Sequence, residues 1–144
     1  MYLLKTTVAF DSAHFLSGYN GKCAQLHGHR WQMEVCVHSD SLITAGEKRG
    51  MVMDFSDLKK SVRALADYFD HTLIIENDSL KKKTMEALHE ENFRIIEVPF
   101  RPTAENFAKY FYDCLRRDGL PVKTVTVYET PENCAVYEED VCSR

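Results

Sequence analysis

Three histidines are the residues of this chain best placed to do chemistry. His27 and His29 flank Gly28, and His14 closes the stretch Asp11-Ser12-Ala13-His14. In a strand, residues i and i+2 point to the same side, so the imidazoles of His27 and His29 can converge on one ion while Gly28 leaves the backbone open to approach. If the segment that ends in His14 pairs with the one that begins at His27, a third imidazole joins them. Three neutral imidazoles with a free fourth position are the arrangement of a catalytic zinc, whereas a closed structural site takes thiolates. The alternative is a chance His-Gly-His pair with His14 on the surface, because short motifs match by accident.

Other groups could work beside such an ion. Cys23 lies four residues before His27 in the polar loop Gly21-Lys22-Cys23-Ala24. A free thiol titrates near about pH 8.5, and a neighbouring cation such as Lys22 lowers that value. An incidental loop cysteine is the plainer reading. Asp70-His71 follows a helical stretch. There the Asp can hold the tautomer of the imidazole, or the pair can be a polar helix end. Glu129 ends a β-rich run. It is either a surface acid or a carboxylate that reads the guanidine-like edge of a heterocycle through two parallel hydrogen bonds.

The elements that must position these groups follow from pattern. Residues 2–10 read as a strand, and a loop follows from Asp11 to about Leu26. Residues 29–38 alternate strictly, with Trp31, Met33, Val35 and Val37 on one face, which predicts a strand. Asp54 or Ser56 can cap a helix carrying Leu58, Val62, Leu65 and Phe69. Residues 79–91 predict a short polar helix, and Phe93–Val98 a short strand or connector. Pro102-Thr103 opens a helix with the stripe Phe107, Phe111, Cys114 and Leu115, stopped by Gly119. Residues 122–128 and 135–138 close the chain as a hairpin. Hairpins at both ends with helices between them predict an α+β fold: a four-stranded antiparallel sheet with helices packed on one face. Its open edges favour a homo-oligomer.

The chain has 144 residues, which suggests one domain over 1–144, and a net charge of −4. It has no sustained basic block. The run Lys81-Lys82-Lys83 reads as a solvated helix face, so nucleic acid is disfavoured as a ligand. No apolar run is long enough to span a bilayer. The N-terminal MYLLKTTVAF has neither a basic n-region nor a cleavage site, so a cytoplasmic location is expected. Five cysteines at irregular spacing (Cys23, Cys36, Cys114, Cys134, Cys142) argue for reduced thiols. Cys36 and Cys114 fall on packing positions.

Six spaced motifs together resemble the 6-pyruvoyl-tetrahydropterin synthase and 6-carboxytetrahydropterin synthase family, enzymes of the tunnelling fold or T-fold. They are Phe10–His14 (FDSAH), Cys23–His29 (CAQLHGH), Met51–Lys59 (MVMDFSDLK), Asp70–Leu73 (DHTL), Pro102–Asn106 (PTAEN) and Tyr128–Thr130 (YET). The resemblance implies zinc on His14, His27 and His29, and Cys23 as a thiolate base. It makes His71, paired with Asp70, a second proton-transfer group. Glu129 would anchor the pterin ring, with Thr103 and Glu105 beside it. The implied substrate is 7,8-dihydroneopterin triphosphate. The three-residue gap between Cys23 and His27 resembles the carboxy branch. That branch releases acetaldehyde and triphosphate and leaves 6-carboxy-5,6,7,8-tetrahydropterin, a precursor of queuosine and other 7-deazaguanines. The pyruvoyl branch, which eliminates triphosphate without carbon–carbon cleavage, is the alternative. A zinc-hydroxide hydrolase or a purely structural metal stands further off. The resemblance also implies a ring-like assembly with sites at subunit contacts. The polar stretch from Asn77 to Pro99 is longer than in compact members. Lys22 and Arg101 flank motif residues and are candidates for the triphosphate, with solvated charge as the other reading.

Overall fold

The computed structural model describes residues 1–139. Two long strands dominate it. β1 (Tyr2–His14) and β2 (His27–Ser39) are each 13 residues long and pair antiparallel throughout, from Tyr2 opposite Ser39 to His14 opposite His27. β1 thus runs four residues beyond the expected end at residue 10. The reason is that the inward alternation continues: Phe10, Ser12 and His14 are all buried. On β2, Trp31, Met33, Val35 and Val37 are fully buried on the same side, as the period-two pattern requires.

Two helices cover that side. α1 (Phe55–Phe69) is capped by Asp54, whose carboxylate accepts the Ser56 N–H at 2.7 Å. It buries Leu58, Val62, Ala66 and Phe69 at helical spacing. α3 (Ala104–Arg117) is capped by Thr103, whose hydroxyl accepts the Asn106 N–H at 3.3 Å. It ends before Gly119, which takes a φ of 85°. Both helices pack on the sheet, α1 against β1 and α3 against the C-terminal strands β5 (Val122–Thr130) and β6 (Asn133–Glu138).

The sheet is larger than the expected four antiparallel strands. Its order is β4-β3-β1-β2-β5-β6, with β3 (Thr72–Glu76) and β4 (Ile95–Val98) added beside β1. β1–β3 and β3–β4 pair in parallel, so the sheet is mixed. The polar helix α2 (Lys82–Glu90) is the crossover that two parallel neighbours require. It has no buried residue and adds little to the helical layer. The α+β class holds, and the strand count is corrected to six.

Cys23, Cys36, Cys114 and Cys134 are all free thiols, with Cys36 and Cys114 buried; Cys142 lies outside the described residues. Among the described residues no helix is long and apolar enough to cross a membrane. The centre of the core is aromatic. The ring of Phe69 lies 5.5–6.1 Å from those of Phe10, Phe107, Tyr110 and Phe111. Phe69→Ala should therefore cost about 3–5 kcal/mol by urea denaturation. Tyr68→Ala, at a half-exposed neighbour, should cost clearly less.

Candidate metal centre and the cavity beside it

The β1–β2 register does what the His-Gly-His spacing anticipated. His14 stands opposite His27, and Ser12 stands opposite His29. All three imidazoles therefore leave the inner face at the end of the ladder. Their ligand nitrogens lie within 4.8 Å of one another. Trp31 forms the floor, its ring edge-on to His14 at 4.9 Å and to His29 at 5.3 Å. An added Cβ on Gly28 would meet the Ser12 carbonyl only at ordinary contact distance, 3.5 Å. The fold thus does not force glycine there.

Hydrogen bonds fix the tautomers. His14 Nδ1 is 2.8 Å from the Pro102 carbonyl, and His27 Nδ1 is 2.6 Å from the Gln25 carbonyl. A carbonyl only accepts, so each Nδ1 carries the proton and each Nε2 presents a lone pair. Those two Nε2 atoms face each other at 3.1 Å. Two bare nitrogens so close repel unless a cation relieves them. His29 Nε2 is buried and has no hydrogen-bond partner. Burial pushes the His14 imidazole down to about 4, against the raising effect of its bond to Pro102. Burial also lowers His29, with Glu129 opposing. Imidazoles aimed by carbonyls, as His14 and His27 are, with a third unpartnered ring nitrogen on His29, form a donor set that a zinc ion takes, and the three residues fit it.

A cavity of about 270 Å³ is lined by Cys23, Thr103, Glu105, Glu129, Tyr19 and Cys134 among others, and Glu129 connects it to the histidines. Glu129 belongs to both places. Its carboxylate oxygen comes within 3.6 Å of His14 Nε2 and 3.5 Å of His29 Nε2. Cys23 sits in a single 3-10 turn, Lys22–Ala24, and is half-buried. Four of the expected site residues thus share one cavity, which Glu129 joins to the three histidines. Tyr19 and Cys134 were not anticipated; a loop aromatic and a strand-edge thiol have no spacing signature.

Asp70 and His71 are a tight pair placed elsewhere. Asp70 Oδ1 accepts the Asp11 N–H at 2.8 Å, and Oδ2 lies 3.0 Å from His71 Nδ1. The Asp11 N–H, first, and then His71 hold the Asp70 carboxyl below the usual carboxylate range. His71 adopts a φ of 55°, uncommon outside glycine, and its own N–H reaches the Asp11 carbonyl at 2.7 Å. Its exposed ring lines a groove of about 640 Å³, distinct from the Cys23 cavity, with Asp11, His29, Arg30, Phe93 and Arg94, so that His29 borders the groove as well as the histidine cluster. Within one chain the structure does not bring His71 into the cavity of Cys23. Arg94 donates to the carbonyls of Tyr68 and Asp70 at 2.9 and 3.0 Å, closing the end of α1. Arg101, a candidate for the triphosphate, donates instead to the Ser17 carbonyl at 2.6 Å. Lys22 is exposed.

The chain is similar to known proteins over nearly its whole length. The family model described as 6-pyruvoyl tetrahydropterin synthase matches residues 3–140. A protein of Haemophilus influenzae called 6-carboxy-5,6,7,8-tetrahydropterin synthase is 35% identical over 142 residues, spanning 96% of this chain and 100% of the relative. One of the same name from Synechocystis is 34% identical, over 95% and 93% of the two chains. Among solved structures, an uncharacterized Wolinella succinogenes protein superposes with a TM-score of 0.78 at 22% identity, covering 96% of this chain and 98% of that one. The Caenorhabditis elegans 6-pyruvoyl tetrahydropterin synthase does so with 0.69 at 23%, covering 96% of each. The fold is the T-fold.

The buried neutral His14 makes the metal-free chain acid-sensitive. Folded, it stays neutral down to about pH 4; unfolded, it takes a proton below 6.5. The unfolded state binds more protons in that window, so stability falls as pH drops through it, by up to about 3 kcal/mol from this group. Urea denaturation of the metal-free protein between pH 7 and pH 4 should show the fall, and His14→Gln should flatten it.

Proposed function

The chain belongs to the 6-pyruvoyl tetrahydropterin synthase family, and we propose that it is a zinc-dependent lyase of the carboxy branch. It would convert 7,8-dihydroneopterin triphosphate and water to 6-carboxy-5,6,7,8-tetrahydropterin, acetaldehyde and triphosphate. The observation that carries this reading is the position of Glu129, which joins an open tris-imidazole centre to the cavity holding Cys23. The names of relatives that span nearly the whole chain favour the carboxy product, as does the short gap from Cys23 to His27.

His14, His27 and His29 would hold zinc, which when bound supplies Lewis acidity toward the side-chain oxygens of the substrate and acidifies the adjacent C–H. The Cys23 thiolate takes that proton. Glu129 accepts two N–H groups from the 2-aminopyrimidine edge of the pterin, a bidentate charge-assisted pair. Thr103 and Glu105 line the ring beside it. Asp70 stays ionised, accepts His71 Nδ1–H, and leaves Nε2 free to exchange a proton with the substrate side chain. Because His71 faces a groove apart from Cys23, the pair completes the site of a neighbouring copy in a homo-oligomer. The enzyme would work in the cytoplasm and feed the making of 7-deazaguanines such as queuosine.

Incubation with dihydroneopterin triphosphate should release acetaldehyde, read by coupled reduction. Accumulated 6-pyruvoyl-tetrahydropterin without acetaldehyde would assign the sister reaction. Cys23→Ala should lose about 10²–10⁴-fold in kcat; full turnover would point to a hydrolase using zinc-bound hydroxide. Chelation should abolish activity and leave the circular dichroism spectrum largely intact, as a structural metal would not.

Mixing tests the shared site. Cys23→Ala and His71→Ala are each expected to be inactive. Co-refolded in equal amounts they should recover about a quarter of wild-type activity, the share of interfaces with both groups intact. No recovery would place both groups in one subunit's site.

A further inference from the structure

We propose that Arg101 is a positioning residue that fastens the loop carrying Cys23 to the segment that orients His14. The proposal rests on the reading of Cys23 as the proton-abstracting thiolate.

The loop between β1 and β2 is held mostly by itself. The Leu16 N–H donates to the Cys23 carbonyl at 2.8 Å, and the N–H groups of Ala24 and Gln25 close the 3-10 turn on Gly21 and Lys22. Among the described residues, the hydrogen bond that ties residues 15–24 to another part of the chain is the one from Arg101 Nη2 to the Ser17 carbonyl, 2.6 Å long and partly buried. Ser17 adjoins Leu16, so the guanidinium acts one residue from the bond that holds Cys23. Gly18 takes a φ of 73°, and a Cβ there would lie 3.6 Å from the same nitrogen. The guanidinium therefore lies against the loop backbone.

The other end of the tether is equally fixed. The Arg101 carbonyl accepts the Thr103 N–H at 2.8 Å and Asn106 Nδ2 at 2.9 Å, which pins it to the start of α3. The next carbonyl, of Pro102, orients His14. Three consecutive residues thus serve one site: Arg101 holds the thiol loop, Pro102 sets a metal ligand, and Thr103 caps α3 and lines the cavity. A charged donor on a partly buried carbonyl is stronger than a neutral pair. With Nη2 engaged this way, Arg101 is assigned to the loop, and the kinetics below separate that role from a contact to an anionic substrate.

Arg101→Ala and Arg101→Met are compared with wild type; the second keeps most of the apolar stem and so keeps the fold if truncation does not. Hydrogen exchange of the peptide containing Leu16 to Cys23 should quicken about tenfold or more, while peptides of β2 and α3 keep their protection. Zinc content should not change. With substrate, kcat should fall about 10²-fold, the cost of a misplaced reacting group, and KM should stay within about twofold. Free guanidinium ion should restore part of kcat in Arg101→Ala. Unchanged exchange in the loop would overturn the proposal. So would a raised KM with kcat intact, which would make Arg101 a contact to the triphosphate. Exchange needs no substrate. If the wild-type chain lacks lyase activity, the functional reading fails, and the loop restraint is still decided.

Discussion

The site depends on the register of β1 against β2. A slip of one residue would send His27 and His29 to the opposite face of the sheet and leave His14 alone. Two sets of contacts could hold that register. On the outer face, Asp11 and Arg30 stand opposite each other and form an ion pair at 3.0 Å. Both side chains are well exposed, and such pairs are worth about 0–1 kcal/mol. On the inner face Phe10 stacks with Trp31 directly across the ladder, followed by Val8 with Met33, Thr6 with Val35 and Leu4 with Val37. Each large apolar side chain buried there contributes about 1.5–3 kcal/mol. The apolar face decides the register, and the three imidazoles converge because they extend the same alternation past its last hydrophobic pair.

That continuation has an electrostatic cost. His14 is fully buried and cannot afford a charge, so it is kept neutral and aimed by a carbonyl from another segment. His27 is aimed by the Gln25 carbonyl two residues away. Both lone pairs then point at one place, and the contact between them is unfavourable without a cation. Carbonyls that accept the far N–H of ligating imidazoles aim them in the same way in metal sites generally. Imidazoles on a rigid ladder and a thiol on a loop divide the labour in the proposed reaction: the ladder would set the metal and the loop the distance of the base.

The three histidines, the helix caps at Asp54 and Thr103 and the long second strand were legible because each depends on local spacing. β3 was not. Its run Thr72–Glu76 is five residues, buried on both sides, and has no alternation to mark it. Without it the sheet reads as four antiparallel strands, and the parallel pairs beside β1 are lost. The continuation of β1 to His14 was hidden by polar Asp11 and Ser12, whose strand pairing is with partners distant in sequence. The separation of His71 from Cys23 was also invisible. It follows from which face β1 and β3 turn toward each residue, a matter of pairing. Backbone acceptors such as the Pro102 carbonyl carry no residue signature at all.

The polar stretch from Asn77 to Pro99 has a physical place. It supplies α2 and β4, extending the sheet beyond β3, and it delivers Arg94 to the last turn of α1. A guanidinium there meets the negative end of the helix dipole and satisfies carbonyls the helix leaves open. Asp70 is thereby held from two directions, by Arg94 on its carbonyl and by the Asp11 N–H on its carboxylate. Two arginines, 94 and 101, therefore act on main-chain carbonyls of the segments that carry the two groups proposed to move protons, Arg94 on Asp70 itself and Arg101 on Ser17 in the Cys23 loop. A carbonyl is present whatever the residue type, so each restraint needs only one side chain to be right. The three histidines are set by the ladder, and the groups proposed to move protons by these two guanidinium clamps at its margin.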